Sequence, residues 1–353
     1  MIRHHVHSWK CDRPSAFRAA RPQAPVAGMA AQLEAALCAH FSAEHAAVTP
    51  GAGQGSHLTW EAVVDGQPLF VRVENGVELD DHLHVESAIL DRVRTAGVPT
   101  PRVLGCDASR SRVPFAWQAL ERIPAPDLNR WFKAGTLDTS RIAFAIGAAV
   151  ARWQAIEPEG FGVVDASLAG GQGTYAGYFL LNLDRHLAFL VDGGFLTPAE
   201  QAEITAEIDR HEPLLALDRG CLVHKDLALW NVLGTPREIL AFIDFDDCIS
   251  GDPLDDLSLL ACFHDAAFLE AALAGYASLR PLPPEHIRRL WLHLLRNMVV
   301  KAVIRTGSGL FERSADHFLI ANGSSGVALR RFTRERLRLA LDGLRGERGL
   351  HQL

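Results

Sequence analysis

The chain has 353 residues, 48% of them hydrophobic and 22% charged, with a net charge of −7. Those proportions describe a globular protein of one large domain or two ordinary ones, and exclude a disordered or fibrous chain. The acidic balance, with no block of Lys and Arg, excludes a nonspecific nucleic-acid binder, and no apolar run reaches the ~20 residues of a membrane span. Six cysteines without metal-ligand pair spacing read as buried hydrophobes of a reducing, cytoplasmic setting.

Residues 1–28, MIRHHVHSWKCDRPSAFRAARPQAPVAG, carry several Arg, a single acid and no long apolar centre. They read as a disordered tail and not as a secretory signal. Met29, Leu33, Leu37 and Phe41 recur at helical spacing and open the first amphipathic helix. A glycine-rich turn, GAGQG, follows, and then LTWEAVV and PLFVRVE flank Asp65-Gly66, the chemistry of a tight hairpin. Residues 80–96 form a helix stopped by Gly97, VPTPRVLG is extended, and FAWQALERIP supplies another strand. From about residue 127 helical periodicity dominates, over 139–156, 174–191, 197–214, 253–279, 284–305 and 330–345, with short strands only in 221–245. The expectation is a sheet-rich lobe over 29–122 and a mainly helical lobe over 123–353.

One stretch stands out. In VHKDLALWNVL, Val223 to Leu233, an ionic triplet and a lone Asn interrupt an apolar run. Either it is a surface loop between two strands, or His224, Lys225, Asp226 and Asn231 have partners that justify their company, because a buried unpaired charge is very costly. Thirteen residues after Asn231, Asp244 stands at the exit of an apolar strand in LAFIDFDDCISGDPLDDLS, where an acid faces a cleft. Further on, Asp252 is placed to cap a helix beginning at Pro253, and Asp255 and Asp256 suit that helix's dipole.

His224-Lys225-Asp226, with Asn231 and then Ile243-Asp244-Phe245-Asp246, resembles the aminoglycoside phosphotransferase family, which also includes choline, homoserine and fructosamine kinases. The resemblance covers about residues 45–345. It implies an α+β, bilobal protein-kinase-like fold, with a small antiparallel-sheet N-lobe and a larger helical C-lobe. It also implies transfer of the γ-phosphate of ATP (or GTP), with Mg2+, to a hydroxyl of a small molecule. The chemistry agrees, since phosphoryl transfer needs an acid beside the attacking hydroxyl and oxygen ligands for magnesium.

By the same resemblance Asp226 is the catalytic acid, Asn231 and Asp244 hold the metal, and His224 and Asp256 support the loop. Gly51, Gly53, Gly55 and Ser56 match the phosphate-covering turn. Arg72 takes the place of the phosphate-binding Lys, and Glu86 that of its paired acid. The hinge that meets adenine falls at 118–123, including Glu121 and Ile123. The family usually has Gly where Lys225 stands; that side chain points to solvent or reaches the γ-phosphate. Asp246, Asp247 and Asp255 are candidate substrate acids. The leading acceptor is an aminoglycoside, which would make the protein an antibiotic-resistance enzyme. A choline, homoserine or sugar kinase, or a nucleotide-binding pseudokinase, stands as the alternative. Neither a nucleic acid nor a membrane is expected as partner, and the protein is expected to be a monomer or homodimer.

Overall fold

The protein is described by a computed structural model over residues 9–17, 28–51, 57–75, 79–313 and 325–353. After two short 3-10 turns at Lys10–Asp12 and Pro14–Phe17, the chain forms α1 (Met29–Phe41), β1 (Ala46–Pro50), β2 (Leu58–Val64), β3 (Gln67–Val73), α2 (His82–Thr95), β4 (Val103–Asp107) and β5 (Trp117–Glu121). These strands make one antiparallel sheet in the order β1-β2-β3-β5-β4. The hairpin lies where Asp65-Gly66 places it, because both residues adopt positive φ (44° and 84°), the requirement of the tightest hairpin turn. One face of the sheet packs Trp60, Val71, Trp117 and Ala119 against Leu33 and Leu37 of α1.

The rest is mostly helical: α3 (Leu128–Lys133), α4 (Thr139–Trp153), β6 (Phe161–Val164), β7 (Gly170–Gln172), α5 (Tyr175–Leu180), α6 (Leu183–Asp192), α7 (Pro198–His211), β8 (Cys221–Val223), β9 (Val232–Gly234), β10 (Ile239–Phe242), β11 (Ile249–Gly251), α8 (Asp255–Ala261), α9 (Ala266–Ala277), α10 (His286–Gly307) and α11 (Gly326–Arg345). Two long periodic runs are each broken in two. Asn182, in left-handed backbone (φ 60°), separates α5 from α6. Residues 262–265 part α8 from α9, and Asp265 caps α9 by accepting from the Phe268 amide. Helices α4 and α9 approach so closely that a Cβ on Gly147 or on Gly275 would collide with backbone of the other helix.

Two sequence expectations are corrected here. Asp252 is not the N-cap of a helix beginning at Pro253: α8 starts at Asp255 with Leu254 at its N-cap position, and Asp252, buried, accepts from the Leu254 amide (2.9 Å) through Oδ1 while Oδ2 pairs with Arg289. Nor are residues 1–28 a disordered tail throughout, for Trp9–Phe17 are folded against the C-terminal region with Trp9, Cys11 and Ala16 buried. No helix among the described residues is long and apolar enough to cross a membrane.

Candidate active site

The unusual stretch is a loop between β8 and β9. Asp256, at the start of α8, holds it from below. Its carboxylate accepts from the backbone amides of His224 (3.0 Å) and Lys225 (3.1 Å) and from Trp153 Nε1 (3.0 Å). The buried His224 ring is fixed at both nitrogens: Nδ1 accepts from the Asp226 amide (3.2 Å), which leaves Nε2 to donate to the Ile243 carbonyl (2.9 Å). Leu227, Leu229 and Val232 anchor the loop in the core. Asn231 Nδ2 donates to the Asp226 carbonyl (2.8 Å), so its Oδ1 is the oxygen left for a cation.

Strand pairing brings the second acid alongside. Val232 of β9 faces Phe242 of β10, and the Ile243 amide donates to the Asn231 carbonyl (3.1 Å). Asp244 follows in left-handed backbone (φ 69°), with its side chain 28% exposed. Arg72, on β3, reaches it from the sheet, with Nη2 at 2.6 Å from Asp244 Oδ1 and 3.3 Å from Asp246 Oδ2, while Nη1 pairs with Glu86 of α2. Glu86 also accepts from the Phe245 amide (3.1 Å), which ties α2 to the segment after Asp244. Burial, together with the carboxylates of Asp246 and Asp244, pushes Glu86 up to about 7 against the pull of Arg72. Burial opposes the charge on Asp246 as well, but the His57 hydrogen bond (2.9 Å) and Arg72 outweigh it and hold that carboxyl well below the usual range. At Asp226, burial is overcome by the charges of Lys10 and Lys301, and the carboxyl is held low.

Asp226, Asn231, Asp244, Arg72 and Glu86 are thus brought into one region between sheet and helices, with His224 and Asp256 beneath it. The other expectations fare differently. Lys225 points neither to solvent nor towards a phosphate. Its ammonium lies 2.8 and 2.7 Å from the two Asp255 oxygens and 3.0 Å from Asn297 Oδ1. Asp255 is therefore no substrate acid: it is buried and spent on Lys225 and on Asn297 Nδ2 (2.9 Å). Asp246 is not one either, since it faces Arg72 and His57. Asp247 is buried as well, and the cations that meet it are Lys10, which it shares with Asp226, and Arg13.

In the stretch expected to be the hinge, the Glu121 amide donates to the Arg102 carbonyl (2.9 Å) and its carboxylate pairs with Arg102; the Ile123 carbonyl accepts from the Ala125 amide (2.9 Å). Gly51 lies close against Thr59, whereas Gly53, Gly55 and Ser56 lie outside the described residues. Trp230 packs edge-on against Phe263 (4.7 Å) in the helical region. Sequence reasoning missed His57, Asn297, Lys10 and Arg13, because no spacing rule links residues so far apart in the chain.

Comparison with known proteins agrees with this layout. Residues 47–290 match the model of the phosphotransferase enzyme family. Among solved structures, a thermostable mutant of the aminoglycoside phosphotransferase APH(4)-Ia, in ternary complex with ADP and hygromycin B, superposes with a TM-score of 0.64. It is 16% identical over 87% of this chain and 98% of that one. The microcompartment-associated aminopropanol kinase gives 0.64, at 18% identity over 90% and 99% of the two chains. A fructosamine-3-kinase-like protein from Haemophilus somnus 129PT gives 0.58, at 14% identity over 88% and 98%. At such identities these likenesses speak for the fold. No curated protein matches the chain by sequence. The family match covers well over half of the chain and contains every residue of the loop, the strand and the arginine cluster just described, so the chain belongs to the phosphotransferase enzyme family of small-molecule kinases.

Proposed function

We propose that Asp226 is the catalytic acid of an ATP-dependent kinase whose acceptor is an alcohol bearing at least one ammonium group, with aminoglycosides and smaller amino alcohols as the leading candidates. The observation that supports this reading is the pairing of Asp226 and Asp247 with a single ammonium, that of Lys10, at 2.7 and 2.8 Å. A site that draws a cation so close to the reacting acid suits an acceptor with a cation beside its hydroxyl.

In this reading Asp226 orients the acceptor hydroxyl and takes its proton as the new bond to the γ-phosphorus forms and the bond to the ADP oxygen breaks. Asp256 and His224 hold the loop so that the carboxylate does not have to be ordered at each turnover. Arg72, kept in place by Glu86, presents a permanent cation to the phosphates. Asn231 Oδ1 and Asp244 are hard oxygen donors, and Asp244 is open enough to take a ligand; they fit a magnesium ion. When bound there, magnesium would neutralise charge on the phosphates.

The test is phosphate transfer to a panel of amino alcohols and amino sugars, with Asp226→Asn as control. Turnover should fall about 10²-fold or more in that variant, the scale of general-base contributions, with ATP affinity kept. Near-normal turnover in folded Asp226→Asn protein would sink the assignment, and a preference for neutral sugars would shift the acceptor class.

A further inference from the structure

Lys10 belongs to a segment with an unusual position. Trp9 is buried, lies flat on Tyr178 (4.7 Å between centroids, 10° between planes) and donates from Nε1 to the Tyr178 carbonyl (3.2 Å). Two cations sit over its ring, the Arg296 guanidinium at 4.0 Å and the Lys225 ammonium at 4.6 Å. Asp12 accepts from Asn182 Nδ2 (3.1 Å) and His186 Nε2 (2.8 Å) and pairs with Arg185, which fastens the turn to the break between α5 and α6. Arg13 pairs with Asp247 and lies 3.3 Å from His82 of α2, so it contacts both sides of the cleft. Beyond it, the Ala16 carbonyl accepts from Ser308 at the end of α10 (3.4 Å).

This segment lies outside the family match, which begins at residue 47 and contains all the residues assigned to phosphoryl transfer. The catalytic set is therefore complete without it. Lys10 nevertheless takes Asp226 Oδ2, and Lys10 and Arg13 together take Asp247. An acceptor hydroxyl needs the first carboxylate, and an acceptor ammonium would need the second. Both positions cannot be filled twice.

We propose that Trp9–Phe17 is a tethered pseudo-acceptor, with the Lys10 ammonium standing in for that of the substrate, and that it must leave before an acceptor can react. This rests on Asp226 being the catalytic acid. Trp9, Asp12 and Ala16 supply the docking, whereas Lys10, with its side chain 32% exposed, supplies the block. A tethered occupant competes at high effective concentration, so it raises the apparent acceptor KM by the reciprocal of the fraction of time the site is free of it.

The test needs no known acceptor, because water serves as one: phosphate release from ATP is measured with full-length wild type, Lys10→Gln, Lys10→Arg and Lys10→Gln/Asp226→Asn. Release should rise about tenfold or more in Lys10→Gln, the scale of one lost charge-assisted contact. It should stay near wild type in Lys10→Arg and collapse in the double variant. Chymotrypsin should also cut after Phe17 faster in Lys10→Gln than in wild type, a readout independent of chemistry. If wild type shows Asp226-dependent release that Lys10→Gln fails to raise, the pseudo-acceptor proposal is wrong. A drop in Lys10→Gln would instead make Lys10 part of the working site and overturn it too. If all four proteins release phosphate at one common rate, the catalytic reading of Asp226 itself fails.

Discussion

Lys225 offers the sharpest test of how the loop is held. It combines a left-handed backbone (φ 69°), where a non-glycine residue is strained, with a side chain spent on buried Asp255. Lys225→Met keeps the strain and removes the ammonium, leaving Asp255 with Asn297 Nδ2 (2.9 Å) and the Tyr175 hydroxyl (3.4 Å). Breaking a buried pair in this way costs about 3–5 kcal/mol. Lys225→Gly loses the same pair but relieves about 1–2 kcal/mol of left-handed strain, offset by about 0.5–1 kcal/mol of extra chain entropy in the unfolded state. Glycine should thus be the milder change by about 1 kcal/mol, and still destabilising by about 2–4 kcal/mol.

The assay is urea unfolding at neutral pH, read by tryptophan fluorescence, with Lys225→Met/Asp255→Asn to close the cycle. The double variant should recover at least about 2 kcal/mol over Lys225→Met, since no unpaired charge remains. The pH dependence has a definite sign. In the native protein burial is outweighed by Lys225 and Asp255 is held low, so the pair's stabilisation is present above the unfolded carboxyl pKa and lost as pH falls. In Lys225→Met burial is uncompensated and the folded pKa rises, so the defect should be largest at neutral pH and shrink on acidification. A neutral or stabilising Lys225→Gly would refute the account, because it would mean that Asp255 does not depend on Lys225.

Three further outcomes are expected. Asp252 pairs with Arg289 (2.6 Å) and His293 (3.0 Å), which overcome its burial and bring its pKa to about 2, so its share of stability, about 2 kcal/mol, should be present above about pH 4 and disappear towards about pH 2. Accordingly Asp252→Ala should cost about 3–5 kcal/mol in urea unfolding, well above the ~0.5–2 kcal/mol of a lost helix cap, and leave magnesium-dependent ATP binding intact, whereas Asp244→Ala should do the reverse in calorimetric titration; exchanged outcomes would reverse the two acids. Gly147→Ala must push α4 away from the Ala272 carbonyl of α9, so it should lower stability by about 1–3 kcal/mol, and an unchanged thermal midpoint would contradict the close crossing.

The sequence alone determined whatever local chemistry signals. The Asp65-Gly66 hairpin, the helix over 82–95 and the spacing of Asp226, Asn231 and Asp244 were legible because turn backbone, helical period and short-range loop patterns depend on nearby residues. Helix breaks were not: residues 174–191 carry one uninterrupted period, and only the Asn182 conformation and the Arg296 guanidinium, which donates to the Phe179 and Leu181 carbonyls, decide that the chain turns there. The acids after Asp244 show the same division. Asp246, Asp247, Asp252 and Asp255 are alike on paper, and tertiary packing alone gave them Arg72 and His57, Lys10 and Arg13, Arg289, and Lys225 as their respective partners. Composition likewise made residues 1–28 look unable to fold. Trp9, Lys10 and Asp12 nevertheless have firm places, because the surfaces that receive them (Tyr178, Arg296, Asp226, His186) exist only once residues more than 150 positions away have packed. A partner so distant leaves no periodicity behind, which is why the occupant of the cleft could be seen only in the folded chain.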